Sequence, residues 1–123
     1  MDAINLAHSV LALLPPKLSH RIGMEAIKRR IFTGPDSISE LTYDLFGFQL
    51  KSPLGLAAGF DKNGVIVDQI VDYGFGWDEV GSITWEGGKG NKDLVLYRLP
   101  NGLWNRLGLN GDPAYQIVER LTK

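Results

Sequence analysis

The sequence predicts an α/β fold in which a small helical unit precedes the start of a parallel βα series. Three observations point there. Apolar residues recur at helical spacing in residues 1–33, and the period changes to strand alternation from Leu41 onward. A short apolar run at 54–58 is followed by a helical pattern and then by a second strand-like segment. Finally, 12 of the 15 glycines fall between Gly55 and Gly111, where strands and turns alternate. Only two βα units are legible, and a lone pair of parallel strands leaves an open edge and an uncovered face.

The elements follow in order. Ile4, Ala7, Leu11 and Leu14, widened by Leu6, Val10 and Leu13, form the apolar face of a first helix. Pro15-Pro16 ends it, because proline has no N–H and restricts the residue before it. A second helix runs from about Pro16 to about Phe32, with Leu18, Ile22, Ile27 and Ile31 apolar and basic residues between them. Residues 1–33 carry a net charge of +3, so this hairpin has two readings: it packs on the rest of the protein, or it lies on an anionic membrane surface. Gly34-Pro35-Asp36-Ser37 is a turn cluster that separates residues 1–36 from 37–123. Leu41, Tyr43 and Leu45, then Phe46, Phe48 and Leu50, predict a strand pair with a switch near Gly47. Residues 54–58 read as a buried parallel strand, 63–73 as a helix capped by Asp61 or Asn63 and stopped at Gly74, and 78–84 as a second strand. Asn101-Gly102 marks a hairpin, and Pro113 opens a last helix over 114–123.

Composition removes several classes of function. With 13 Lys+Arg against 14 Asp+Glu the net charge is −1, which does not suit a nucleic-acid binder that works by global positive charge. The absence of cysteine excludes disulfides, thiolate nucleophiles and cysteine-ligated metals, and two histidines, His8 and His20, are too few for a usual histidine metal site. No metal is expected. Met1-Asp2 is an acidic start without the positive region of a signal peptide, so export is not expected.

In a parallel α/β fold, chemistry sits beyond the carboxyl ends of the strands. Both predicted strands end there in small residues, Ala57-Ala58-Gly59 and Gly81-Ser82, which lets a flat ligand approach the backbone. Lys62 adds a cation at the same rim, suited to an anionic substrate or to a reduced cofactor ring. The competing reading is tight strand–helix packing beside a solvated lysine, and the repetition on two strands brings the two close to balance. Asn105 and Asn110, with Gly108 and Gly111, offer carboxamides suited to an imide or pyrimidine edge, although the same residues also favour turns. Gly87-Gly88-Lys89-Gly90 lacks phosphate-loop spacing. Asp61, Asp68 and Asp72 read as surface carboxylates, and Arg98 beside Tyr97 is as readily a surface residue as a functional one.

Ser52-Pro53-Leu54-Gly55-Leu56-Ala57-Ala58-Gly59-Phe60-Asp61-Lys62-Asn63-Gly64 closely resembles the first-strand signature of the dihydroorotate dehydrogenases. The match continues in order through Glu79-Val80-Gly81-Ser82-Ile83-Thr84, Tyr97-Arg98-Leu99 and Asn105-Arg106-Leu107-Gly108-Leu109-Asn110. Leu14-Pro15-Pro16-Lys17-Leu18-Ser19-His20 is similar to the helical extension of the membrane-associated, quinone-reducing class 2 members. The chain departs from the family where Trp85-Glu86-Gly87-Gly88-Lys89 replaces a usual proline-rich stretch, and where Leu109 replaces a frequent aromatic residue.

The resemblance implies the first part of an FMN-binding (β/α)8 barrel, preceded by an extension that faces the quinone tunnel and the membrane. It further implies oxidation of dihydroorotate to orotate, with quinone as acceptor. Ala58, Gly59, Phe60, Asp61, Lys62 and Ser82 match FMN-binding positions; Lys62, Asn105, Arg106, Leu107, Gly108 and Leu109 match the substrate site. His20 and Arg98 match positions near the quinone tunnel, and the catalytic serine is expected beyond Lys123. The implied location is peripheral, on the cytoplasmic side of a bacterial inner membrane or on the mitochondrial inner membrane. The alternative is an inactive, truncated relative that serves as a membrane-surface or interaction module.

Overall fold

The computed structural model describes residues 3–32, 34, 42–92 and 95–123. The predicted turn at Pro35–Ser37 and the first residue of the strand pair, Leu41, lie outside the described residues.

Helices α1 (Ala3–Leu13) and α2 (Pro16–Lys28) form the expected hairpin, broken at Pro15-Pro16. The Ser19 hydroxyl donates to the Leu11 carbonyl at 2.6 Å and so holds the two helices together. At the far end of α2, Arg30 pairs with Asp72 at 2.6 Å, which ties the extension to the α/β unit. Strands β1 (Tyr43–Leu45) and β2 (Phe48–Leu50) pair antiparallel around a tight Phe46-Gly47 turn, both residues at positive φ.

Strand β3 (Gly55–Leu56) pairs in parallel with β4 (Trp77–Asp78), and the ladder is prolonged by Gly76 N–H to Leu54 and Glu79 N–H to Leu56. Together with the helices, this parallel pair makes the unit α/β, although two short strands are not yet a barrel wall. Strands β5 (Gly88–Lys89) and β8 (Asn110–Gly111) pair antiparallel, as do β6 (Leu96–Leu99) and β7 (Gly102–Asn105). The hairpin is present, with Pro100-Asn101 as its loop and Tyr97 stacked on Trp104 at 4.8 Å. Helix α3 (Ala114–Leu121) follows Pro113 as predicted. Ile66, Ile70, Val95 and Ile117 are the buried apolar core among the described residues. Burial stabilises each by roughly 1.5–3 kcal/mol.

Two expectations are corrected. The helix predicted over 63–73 is reduced to a 3-10 turn at Ile70–Tyr73, ended by Gly74 in the left-handed conformation as expected. The reason is Asp61, which is not a surface carboxylate but fully buried. Its oxygens accept the N–H groups of Asn63, Val65 and Ile66 at 3.3, 2.9 and 2.8 Å. These bonds coil the chain into turns where a helix would have run, and a buried carboxylate requires such compensation. The second strand is Trp77–Asp78 rather than 78–84, since its partner β3 pairs with those two residues alone, and the chain leaves the extended conformation at Gly81, φ +129°.

Asp78 points inward from β4, and neither carboxylate oxygen has a hydrogen-bond partner among the described residues. Burial, followed by the nearby charge of Asp61, raises its pKa from 3.8 to about 6. The folded chain therefore holds a proton that the unfolded chain releases, so this group's contribution is full below about pH 4 and declines as pH rises through about 6. Asp78→Asn is expected to raise Tm at pH 7 and to flatten its decline between pH 5 and 7, measured by thermal melts across that range. Asp61→Ala strands three backbone donors and is expected to destabilise by about 3 kcal/mol in urea unfolding.

Candidate functional site

Beyond the end of β3 the chain turns at Ala58-Gly59, and beyond β4 it turns at Gly81-Ser82. Gly59 at φ +98° and Gly81 at φ +129° take conformations that a side chain disfavours. The two turns stand side by side because β3 and β4 are paired in parallel. Together with Lys62, Asn105 and Leu107 they line a cleft of about 320 Å³. That volume lies within the roughly 300–1,000 Å³ of small-molecule sites.

The cleft has a floor of small residues, one cation and one carboxamide. Lys62 enters no ion pair or hydrogen bond among the described residues, so its ammonium is available to an anion. Asn105 ends β7 and lines the same cleft as the lysine, from a separate stretch of the chain. Its carboxamide offers donors and an acceptor together.

A second cleft of about 420 Å³ lies between the helical hairpin and β6–β7, lined by residues that include His8, Leu11, Pro16, His20, Phe60, Arg98 and Leu103. It brings His20 and Arg98 together. His20 Nε2 lies 2.9 Å from the Phe60 carbonyl, so that nitrogen carries the proton, and the two rings meet edge to face at 5.0 Å. Arg98 donates to the carbonyls of Leu11 and Ala12, both at 3.0 Å, and to Ser19 Oγ at 3.2 Å. It thereby caps the C-terminal end of α1, where a cation meets the negative end of the helix dipole.

The remaining candidates are placed elsewhere. Phe60 faces the second cleft, not the first. The side chain of Asp61 is spent inside its own turn. Arg106 donates its N–H to the Val95 carbonyl at 2.8 Å and accepts from Asn91 at 2.7 Å, while Gly108 and Leu109 are exposed outside both clefts. Gly81 lines the first cleft as its place at a strand end implies, and Ser19 lines the second without a sequence signal. Ser19 joins Leu11 and Arg98, and nothing near it in the sequence announces that role.

A family model described as Dihydroorotate dehydrogenase matches residues 40–123. A relative from Parvibaculum lavamentivorans named dihydroorotate dehydrogenase (quinone) is 36% identical over 126 residues, covering 98% of this chain and 36% of its own. One of the same name from Clavibacter sepedonicus is 39% identical over 124 residues, covering 99% and 34%. The crystal structure of DHODH from Eimeria tenella in complex with ferulenol matches with a TM-score of 0.79 at 30% identity, over 94% of this chain and 32% of that one. The chain spans about a third of the length of these relatives. On the match across residues 40–123 and the relatives that align along nearly its whole length, this chain belongs to the dihydroorotate dehydrogenase family of enzymes.

Proposed function

We propose that this chain is the N-terminal part of a quinone-reducing, FMN-dependent dihydroorotate dehydrogenase, which oxidises dihydroorotate to orotate in pyrimidine synthesis. The observation that carries the reading is the convergence of Lys62 and Asn105 on one cleft floored by Ala58, Gly59, Gly81 and Ser82. These residues fit a flat ring: the floor has almost no side-chain bulk, and Ser82 offers a hydroxyl. FMN, when bound, supplies hydride acceptance. The protein's own part is positioning and charge. Lys62 neutralises the carboxylate of the substrate or negative charge on the ring system, and Asn105 pairs with the pyrimidine edge. The proton acceptor is the serine expected beyond Lys123.

In this reading, residues 37–123 begin a (β/α)8 barrel, and 1–36 form the extension over the second cleft, which takes the quinone beside His20 and Arg98. Leu6, Val10 and Leu13 on α1 are exposed, with Lys17 and Arg21 on the adjoining helix, as peripheral attachment to an anionic membrane requires. The membrane would be a bacterial inner membrane on its cytoplasmic side, or the mitochondrial inner membrane. No helix among the described residues is long and apolar enough to cross a membrane. The presence of both Lys62 and Asn105 in the lining of one cleft favours an enzyme over an inactive truncated relative.

The test is made on the product of the complete reading frame. Dihydroorotate is expected to bleach its flavin absorbance and to support reduction of a short-chain quinone, and Lys62→Ala is expected to lower kcat/KM for dihydroorotate about 100-fold. Bound flavin that dihydroorotate leaves oxidised overturns the proposal. The 123 residues alone are expected to purify without stoichiometric flavin, measured by absorbance, because a barrel of this type takes about 250 residues.

A further inference from the structure

We infer that Asn63 is a positioning residue, holding Lys62 at a set distance from the opposite wall of the cleft; this rests on the reading of Lys62 as the substrate's cation. Lys62 has no partner of its own among the described residues, so its place is set by the residues on either side of it in the chain. On one side, Asp61 bonds only within its own turn, to N–H groups two to five residues ahead. Those bonds give the turn its shape. They do not say where the turn stands relative to Asn105 and Leu107.

Asn63 supplies that restraint. Its Oδ1 accepts the Asp112 N–H at 2.9 Å, across 49 residues of sequence. Its carbonyl accepts the guanidinium of Arg120 on α3, and Arg120 also pairs with the Asp112 carboxylate at 2.9 Å. Asp112 directly follows β8, and it lies on the same stretch of chain that carries Asn105 and Leu107 past the cleft. Asn63, Asp112 and Arg120 therefore close a ring of contacts from the wall that bears the lysine to the wall that bears the carboxamide. The Arg120–Asp112 pair is about one-third exposed on each side, a setting in which ion pairs add little stability. Geometry is affected far more, since a misplacement of roughly 1 Å at a reacting site costs about 100-fold.

The experiment uses the flavin-loaded product of the complete reading frame. Asn63→Ala is expected to raise KM for dihydroorotate about 10-fold or more, with KM for a short-chain quinone, flavin content and Tm little changed. Asn63→Asp keeps the acceptor, with Arg120 beside it to offset the charge, and is expected to stay within about twofold of the parent. If Asn63→Ala yields no soluble protein, Arg120→Met must raise the same KM selectively. Equal KM values in Asn63→Ala and the parent, a parallel rise for both substrates, or no rescue by Asn63→Asp overturns the inference. A parent protein that does not oxidise dihydroorotate defeats the underlying reading instead, so the two failures are told apart.

Discussion

The carboxylate of Asp61, sealed beneath the turn that follows β3, is the constraint on which the rest of the structure depends. A charge in the interior is tolerated only when its oxygens are hydrogen-bonded, and here three consecutive-turn N–H groups are drawn to it. That choice has several effects at once. It stops a helix from starting at Asn63, sends Ile66 into the core, and leaves Lys62 at the rim of the cleft. It also places a negative charge near Asp78, whose own carboxylate has no hydrogen-bond partner among the described residues.

The segment 58–63 serves two clefts at once. Gly59 and Lys62 face one, while Phe60 between them faces the other, where His20 holds its carbonyl. The helical extension and the α/β unit therefore share a wall one strand-end thick. Each side of that wall has its own chemistry: small residues with a cation on one, aromatic and aliphatic side chains on the other.

Much of this was legible in the residues, and the reasons for the rest are physical. Pro15-Pro16, Gly74 and Pro113 act through backbone dihedrals that do not depend on distant contacts, and each punctuates the chain where expected. Ala58, Gly59, Lys62 and Ser82 were legible because strand ends gather residues close in sequence to each strand. Asn105 joined them through its place in a motif. The fate of 63–73 was not legible. Val67, Ile70 and Val71 carry helical spacing, but periodicity says nothing about a carboxylate upstream that captures the first N–H groups. Asn63 and Ser19 act across 49 and 79 residues, on Asp112 and with Arg98, and no local pattern encodes such a distance.

Arg98 spends its donors on the carbonyls at the end of α1 rather than on a carboxylate. A ligand in the second cleft that drew on those donors would take them from the end of α1. A molecule that enters without disturbing those bonds leaves the helix end capped. One that took them over would leave the last turn of α1 without its cap. The cap of α1 and part of the wall of the second cleft are thus one side chain.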